Sequence, residues 1–503
     1  MKRLLSGVLL LPVLAAPGLA QSVPSPYTTK PAALDSGPVG NNGGGAILAW
    51  SQVLRDPTAR SLQLHFGPGT RLAQGSMLVL TSLLDGHVQL FEPWSLSAWE
   101  LRSAFFNGDA VRVDLVVAAG TWNNRVQVTS FLAEDQQVFG PLSQCGPTDD
   151  RVPSQDPRNA RQQPTGCTTW LIAAYAGLTA GHCTSSASQV MEFNVPLSTT
   201  SGSLVHPGPS DQYPYVTGTL QRLASGIGAD WSTFVVARNS NTGLYPGEKQ
   251  GSWYELGKVP TSTTGNSIRI TGYGTYSLDR RYNQVQQTHV GPLYQVASTY
   301  LRYTTDTTGG NSGSPVIHEQ TGQAVGIHTH SGCTTSSTNP TGNHGTRIDR
   351  SDLQTAIAQT LAARTVGTST PFGSGCKGSA GTPVLEWRTL PTTGRSWVLG
   401  FEGAPAAQPM LLVWGASDTT WGPLNLPLSL AGFGASGCSL LVSVDVVGPA
   451  SSGSGSGTLT IPIPASSALV GVTFHNQLVV ADKGANQAGL TTSNGLTSKV
   501  GKD

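Results

Sequence analysis

Short runs of alternating apolar and polar residues, separated by turns rich in glycine and proline, recur along most of the chain. The segment FNGDAVRVDLVV (residues 106–117) is typical: after an Asn-Gly-Asp turn its side chains alternate in polarity, as in a half-buried strand. Similar runs from about Ala46 to Leu132 predict a β-sandwich within an N-terminal domain of residues 21–144. Residues 21–45, rich in Pro, Gly and Ser, favour a linker or arm ahead of these strands.

A second all-β unit is predicted for residues 145–366. Its strands include TTWLIAAYA, DWSTFVVA, SIRITGYG and QAVGIHTH. It ends in RSDLQTAIAQTLAARTV, where Leu353, Ile357 and Leu361 recur every fourth residue and give one apolar helix face. Ser351 and Gln354 match a capping box at the start of this helix.

A third β-rich unit follows a polar linker at residues 367–375. Alternating runs such as SWVLGFEG and SLLVSVDVV predict a second β-sandwich over residues 376–503, with Cys376 and Cys438 as its internal disulfide. This unit shows no cluster of catalytic residue types, and an accessory role in binding a surface, a partner or a substrate polymer, or in sorting, is expected of it.

Composition narrows the class of protein. With 61 Gly, 33 Pro and only 11% charged residues, the chain is β-rich, and 29 Lys+Arg against 28 Asp+Glu leave no basic patch for nucleic acid. Residues 1–20 begin with Lys2 and Arg3, continue as an apolar run and end in small residues, which predicts a secretory signal peptide. The alternative, a membrane anchor, is disfavoured because the run is short. A secreted protein with six cysteines favours disulfides over thiols.

Three segments of the middle unit carry candidates for nucleophilic catalysis. A serine hydroxyl needs a neighbouring base, and the base needs an orienting acid. LTAGHCTS presents His182, GIGADWSTFVVA presents Asp230, and TTDTTGGNSGSPVI presents Ser312. Each segment alone also suits an ordinary strand end or turn, but their occurrence together, in the order His, Asp, Ser, indicates a catalytic triad. Rival candidates for the acid, with less suitable placement, are Asp211, Asp279 and Asp306.

The glycines around the serine suggest an oxyanion hole. Two backbone N–H groups aimed at the developing negative charge stabilise a tetrahedral intermediate. The expected donors are those of Gly310 and Ser312, and a side chain at position 310 would resist the backbone turn that this requires.

These residues resemble a known family. The middle unit is similar to the chymotrypsin-fold, trypsin-like serine proteases, and among them to the bacterial glutamyl endopeptidases. The resemblance lies in five segments: GPTDDRV (146–152), GCTTWLIAAYAGLTAGHC (166–183), DTTGGNSGSPV (306–316), AVGIHTHSG (324–332) and NHGTRIDRSDL (343–353).

The resemblance implies a double β-barrel with the active site between the barrels. It makes His182 the general base, Asp230 its orienting acid and Ser312 the nucleophile. It also implies a Cys167–Cys183 disulfide, which leaves Cys145 to pair with Cys333 if Cys376 bonds Cys438. No cofactor and no metal are expected.

Substrate preference rests on residues near the serine. In the glutamyl group a histidine after the serine helps to bind a substrate carboxylate, and His328 matches it, with Thr307 and Thr329 at neighbouring pocket positions. This implies cleavage after Glu or Asp, unless His328 is only a core histidine. The rival is Asp306, six residues before Ser312, where trypsin-like enzymes keep an aspartate that binds Lys or Arg. A metal site in HTHSGC with His344 fits no standard zinc spacing.

The expected function is therefore that of a secreted serine endopeptidase acting on proteins or peptides. Residues 21–144 are either a prodomain or a permanently attached sandwich, because in the family a freed N-terminal amine can contribute to the specificity pocket. A catalytically inactive binding protein on the same fold is the alternative of a different class.

Overall fold

The computed structural model describes residues 23, 25–135, 142–184, 189–276, 278–333 and 342–502. The expected signal peptide lies outside these residues. The chain packs as two units, one comprising residues through 243 together with 252–357, the other comprising 244–251 together with 358–503. Within the described ranges, no helix is both long and apolar enough to cross a bilayer.

The first unit begins with a sandwich of two four-stranded antiparallel sheets, ordered β1-β8-β3-β6 and β2-β7-β4-β5. Apolar side chains from alternate positions, such as Leu78, Leu80, Val113 and Leu115, fill the space between the sheets and are fully buried. Its elements are β1 (Tyr27–Asp35), β2 (Ile47–Arg55), β3 (Ser61–Phe66), β4 (Met77–Ser82), β5 (Val88–Phe91), α1 (Pro93–Ala98), β6 (Phe106–Asn107), β7 (Ala110–Val117) and β8 (Gln127–Glu134). The segment expected as a linker or arm contains strand β1, which forms there because it pairs with β8.

The second part of this unit contains two larger sheets. One has the order β15-β14-β11-β12-β13-β17-β16 and stays open, whereas in the other, β10-β19-β18-β22-β23-β24-β20, a β19–β20 pairing closes six strands into a barrel. This is a chymotrypsin-like double barrel whose first barrel is a half-barrel. The strands are β9 (Leu142–Ser143), β10 (Val152–Pro153), β11 (Asn159–Gln163), β12 (Cys167–Ala173), β13 (Ala176–Thr179), β14 (Val190–Glu192), β15 (Gln212–Pro214), β16 (Gln221–Ala224), β17 (Asp230–Val235), β18 (Ser267–Gly272), β19 (Gln287–Val296), β20 (Tyr300–Tyr303), β21 (Thr307–Thr308), β22 (Pro315–His318), β23 (Ala324–His330) and β24 (Asn343–Arg347).

Two helices interrupt or follow these strands, α2 (Pro246–Gln250) and α3 (Ser351–Ala362). The apolar stripe predicted for α3 is present, since Leu353 and Ile357 are buried. The capping box is not formed. Ser351 is the first residue of the helix, and the Gln354 side chain donates to the Ile348 carbonyl oxygen at 2.8 Å instead of reaching back to a cap.

The N-terminal sandwich packs on the half-barrel through a buried polar seam. The side-chain amide of Gln212 exchanges two hydrogen bonds of 2.8 Å with the backbone of Phe105. Beside it the Phe105 ring stacks on His206, whose Nδ1 lies 2.6 Å from Glu192 Oε1, and Arg161 Nε donates to Glu192 Oε2 at 2.7 Å. Since the side chains of Arg161, Glu192 and His206 are fully buried, the seam depends on complete pairing of its charges.

The second unit contains a sandwich with sheets β25-β36-β35-β28-β33 and β26-β27-β34. Trp397, Leu399 and Leu478 are buried in its core. Residues 368–372, expected as part of a linker, form its first strand because they pair along β36. The strands are β25 (Thr368–Phe372), β26 (Val384–Trp387), β27 (Ser396–Glu402), β28 (Pro409–Gly415), β29 (Thr420–Trp421), β30 (Leu424–Asn425), β31 (Leu428–Ser429), β32 (Ser439–Leu440), β33 (Val446–Ser451), β34 (Gly457–Pro462), β35 (Thr473–Ala481) and β36 (Leu490–Lys499).

Candidate active site

His182 and Asp230 form a close pair where two strands of the half-barrel end. His182 lies in a single 3-10 turn, Gly181–Thr184, directly after β13, and Asp230 opens β17. The backbone N–H of His182 donates to Asp230 Oδ1 at 3.0 Å, and the ring Nδ1 lies 2.5 Å from Oδ2. These two contacts fix both the backbone and the ring of the histidine, and the carboxylate that makes them is only 1% exposed.

Ser312 sits on a tight turn between glycines that take conformations disfavoured for other residues. Gly310 has φ +100° and Gly313 has φ +90°, and a Cβ on Gly313 would lie 2.0 Å from the Thr168 carbonyl oxygen. The Ser312 carbonyl accepts from the Thr168 N–H at 2.8 Å, which joins the turn to β12. The corner therefore holds the serine against the half-barrel that carries His182.

The serine and histidine side chains are not hydrogen-bonded to each other in this state. Ser312 Oγ donates to the Thr329 carbonyl oxygen at 3.3 Å, and His182 Nε2 has no hydrogen-bond partner among the described residues. Catalytic hydrogen bonds are often long or misaligned without substrate and tighten when it binds. The unpaired Nε2 is the atom that would accept a proton.

A disulfide between Cys167 and Cys183 fixes the histidine turn to β12. Closure of a loop of about this size stabilises a fold by about 3 kcal/mol in the chain-entropy model. Cys183 Sγ also lies 3.7 Å from the Ser312 carbonyl oxygen, so the bridge touches the serine turn as well.

The peptide before Gly310 is held in one orientation by a hydrogen bond to its carbonyl oxygen. The Gly309 carbonyl accepts from the Thr275 N–H at 2.8 Å. In a trans peptide the N–H points opposite to the C=O, so the Gly310 N–H points away from Thr275. It donates no hydrogen bond within the described ranges, and it is therefore available to an incoming oxygen.

The three candidate pocket residues lie on β21 and β23. His328 is fully buried, and its Nδ1 lies 2.7 Å from the Tyr303 hydroxyl. Burial, with a smaller effect from His330, His344 and His182, lowers the pKa of His328 to about 3. Thr307 Oγ1 accepts from Asn343 at 2.8 Å, and Thr329 supplies the carbonyl that receives the Ser312 hydroxyl.

Asp306, the rival determinant of specificity, is engaged elsewhere. Its Oδ1 accepts the Cys145 N–H at 2.6 Å and its Oδ2 accepts the Asp150 N–H at 2.7 Å. Its own N–H donates to His289 Nδ1 at 2.8 Å. The carboxylate is 1% exposed and anchors the segment before β10.

His330 is a neighbour of the site that sequence reasoning did not single out. Its Nδ1 lies 4.0 Å from Asp230 Oδ2, and its ring meets that of His182 edge-on at a centroid distance of 6.1 Å. Burial lowers the pKa of His330 against the opposing effect of Asp230. Its place two residues after His328, in the run GIHTH, was the available signal.

The cysteines of the remaining two pairs are also bonded, Cys145 to Cys333 and Cys376 to Cys438, as the sequence anticipates. The metal site considered for HTHSGC therefore has no thiolate to offer from Cys333. A second group of ligand types, Asp150, His289 and Asp306, comes together, but both Asp306 oxygens already accept backbone N–H groups.

Comparison with known proteins agrees with this geometry. Residues 167–327 match the family model of the trypsin-like peptidase domain. This part of the chain is similar to a trypsin-like peptidase domain. It contains all three candidate triad residues and their glycine turn.

Two curated relatives match part of the chain. A glutamyl endopeptidase of Bacillus licheniformis is 28% identical over 206 residues, which is 37% of this chain and 56% of that protein. An extracellular metalloprotease of Bacillus subtilis is 30% identical over 171 residues, 33% of this chain and 51% of that protein. The chain thus spans about half the length of the curated relatives it matches.

Solved structures with a related chain trace include a Glu endopeptidase in complex with MPD and a mutant of human heparin binding protein. The first is 20% identical with a TM-score of 0.34, covering 43% of this chain and 99% of that one. The second is 16% identical with a TM-score of 0.31, covering 43% and 97%.

Proposed function

We propose that this protein is a serine endopeptidase that hydrolyses peptide bonds through His182, Asp230 and Ser312. The observation that carries the proposal is the buried Asp230 carboxylate 2.5 Å from His182 Nδ1, with the shielded Nε2 left without a partner among the described residues. An inactive binding protein would have no need to hold an imidazole in this tautomer.

The chain's own groups supply each step of acyl transfer. Ser312 Oγ bonds to the scissile carbonyl carbon while its proton passes to His182 Nε2, and the carbonyl electron pair moves to the oxygen. The N–H groups of Gly310 and Ser312 stabilise that oxyanion. Collapse breaks the C–N bond, and the amine leaves with the proton from His182. Water then attacks the acyl-enzyme by the same route and releases the acid.

We infer a preference for Glu or Asp before the cut, centred on His328. Burial raises the pKa of Tyr303 well above its usual value, so its hydroxyl keeps its proton and can donate to His328 Nδ1. That hydrogen bond puts the imidazole proton on Nε2, which makes the opposite edge of the ring a donor suited to a carboxylate. Lys or Arg preference through Asp306 is disfavoured, because two backbone N–H groups occupy its carboxylate.

An extracellular location is part of the proposal. All six cysteines are in disulfides, which persist in oxidising compartments. The N-terminal sandwich is proposed to remain part of the working enzyme. Its seam on the half-barrel buries paired charges, and cleavage of a connecting segment would leave that seam buried, so the sandwich would stay bound.

A peptide library tests the activity and the preference together. The full chain and a Ser312→Ala variant are incubated with mixed peptides, and the cut bonds are identified by mass spectrometry. Cuts after Glu or Asp that are absent with Ser312→Ala are expected. Cuts after Lys or Arg would retain the mechanism and refute the His328 preference, whereas equal cutting by both proteins would refute the mechanism.

Tyr303→Phe gives a finer test of the pocket. Loss of the hydroxyl frees the imidazole to take either tautomer, so cleavage after Glu is expected to fall relative to cleavage after uncharged residues. An unchanged ratio would show that the Tyr303–His328 hydrogen bond plays no part in specificity.

A further inference from the structure

A buried arginine lies beneath the turn that carries Ser312. Arg151 pairs with Asp149 through two hydrogen bonds, Nε to Oδ1 at 2.9 Å and Nη2 to Oδ2 at 2.7 Å. The two side chains are 1% and 2% exposed. A bidentate pair so well shielded from water fixes the guanidinium in one orientation.

The Nη1 group of this guanidinium reaches the loop Thr308–Ser312, here called the oxyanion loop. Nη1 donates to Thr308 Oγ1 at 2.8 Å and to Asn311 Oδ1 at 3.4 Å. Asn311 Oδ1 also accepts the Thr308 N–H at 3.0 Å, so the arginine holds both ends of a closed turn.

A second route leads from Arg151 to the oxyanion donor itself. Nη2 donates to the Thr275 carbonyl at 3.0 Å, and the Thr275 N–H donates to the Gly309 carbonyl at 2.8 Å. The orientation of the Gly309–Gly310 peptide follows from that last bond. Arg151 is thus two hydrogen bonds away from the group that sets the direction of the Gly310 N–H.

The packing leaves no space for this arrangement to relax. A Cβ on Gly274 would lie 2.4 Å from Arg151 Nη1 and 2.1 Å from Asn311 Oδ1. The segment that carries Arg151 is itself fixed, because Asp306 binds the N–H groups of Cys145 and Asp150 and a disulfide joins Cys145 to Cys333.

We propose that Arg151 is a positioning residue that assembles the oxyanion loop in the uncut chain, so that catalysis needs no freed N-terminal amine. The inference rests on the proposed peptidase function. It replaces a charge created by proteolysis with one that the sequence supplies internally, six residues after Cys145, the first position of the unit predicted over residues 145–366.

Paired substitutions test the role of the arginine without leaving a buried carboxylate unpaired. The test variant is Asp149→Asn/Arg151→Met. The matched control is Asp156→Asn/Arg158→Met, because Arg158 makes the same two bonds to a carboxylate two residues before it, and its guanidinium contacts the Tyr254 ring and not the oxyanion loop. Thr308→Val is a milder second variant, which removes the hydrogen bonds of Thr308 Oγ1 with Arg151 and with the Thr275 carbonyl and keeps the ion pair.

The expected result is a fall in kcat with KM changed less than about threefold, since the loop acts on the transition state. Loss of a whole oxyanion donor costs about 10²–10³ in kcat, so a fall of at least about tenfold is expected for the test variant and a smaller one for Thr308→Val. Affinity for a peptide aldehyde, which forms a tetrahedral adduct, should fall by the same factor. Values of kcat equal to that of the control in both variants would overturn the proposal.

Covalent labelling tests the claim about processing. A fluorophosphonate probe is added to freshly purified full chain, and the labelled species is sized by denaturing electrophoresis. Label on the intact-length chain is expected. Label only on a shortened chain would overturn the inference and leave the proposed peptidase function intact. If no form of the parent chain is labelled, so that the parent and Ser312→Ala give the same result, the function on which the inference rests is refuted.

Discussion

Replacement of Asp306 separates a structural role for this carboxylate from a role in specificity. In the structure it accepts two backbone N–H groups, at 2.6 and 2.7 Å, while 1% exposed. If it were instead a determinant for Lys or Arg, its oxygens would have to face the substrate. Asp306→Ala is therefore expected to destabilise the fold without changing which residue precedes the cut.

The magnitude follows from the two hydrogen bonds. A hydrogen bond to a charged group contributes about 1.5–3 kcal/mol, and both N–H groups lose their acceptor in a buried place, so the loss is about 3–6 kcal/mol. For a domain of this size each kcal/mol corresponds to about 2–4 °C, which gives a drop of at least about 6 °C in the melting temperature.

The assay pairs a thermal melt with the peptide library. Asp279→Ala serves as the control, because within the described ranges the Asp279 side chain bonds only the nearby Arg281 at the surface, and the melting temperature of this variant should match the parent. The ratio of cuts after Glu to cuts after Lys should be the same in the parent and in Asp306→Ala. An unchanged melting temperature, or cleavage after Lys that disappears with Asp306, would refute the reasoning.

Three further outcomes are expected. The pKa of His328 in the folded state, about 3, lies below its value in the unfolded state, so the unfolded state binds more protons and the free energy of unfolding falls as pH drops from about 6.5 to 3. His328→Gln should flatten this dependence by up to about 1.4 kcal/mol per pH unit, measured by thermal melts across pH. An unchanged dependence on pH would contradict this expectation. Glu192→Ala leaves the buried Arg161 without its carboxylate partner and should lower the free energy of unfolding, measured by chemical denaturation, by about 3–5 kcal/mol. A loss no larger than that of an exposed ion pair, about 0–1 kcal/mol, would contradict it. Gly310→Ala, at φ +100° and with its Cβ 2.5 Å from the Tyr273 carbonyl oxygen, should lower kcat by about 10² while labelling still reports a folded Ser312 site; full activity would contradict the assigned turn.

Local pattern was enough to predict the strands and the last helix, but not where they pair. Period-two alternation marks a strand such as β7 whatever its neighbours are. Strands β1 and β25 lie in stretches rich in Pro, Gly, Ser and Thr, and they exist because β8 and β36 offer edges to pair with. Ser351 and Gln354 had the spacing of a capping box, yet the Ile348 carbonyl competed for the glutamine side chain. Tertiary partners decided each of these cases.

The candidate site divides in the same way. His182, Asp230 and Ser312 could be selected because each lies at the end of an apolar run in a glycine-rich setting, and the structure places the first two in contact. The use of Asp306 could not be predicted from its distance to Ser312, because its partners are backbone groups of residues 145 and 150. Arg151 was visible in the sequence only as part of GPTDDRV, since its target loop lies 157 residues further on at Thr308.

Asp149, Arg151 and Asp306 form one buried network beside the oxyanion loop. Burial would raise the pKa of Asp149, but the hydrogen bonds and charge of Arg151 outweigh that effect and lower it, so the Asp149 carboxylate stays ionised and bonded. Asp306 holds the backbone of the segment that carries this pair. Arg151 contacts Thr308 and Asn311 of this loop, and removing either partner of the Asp149–Arg151 pair leaves a buried charge unpaired. Under the proposed role of Arg151, a loop held in this way need not reorganise as the oxyanion forms, which is the condition under which backbone N–H groups stabilise a transition state most strongly.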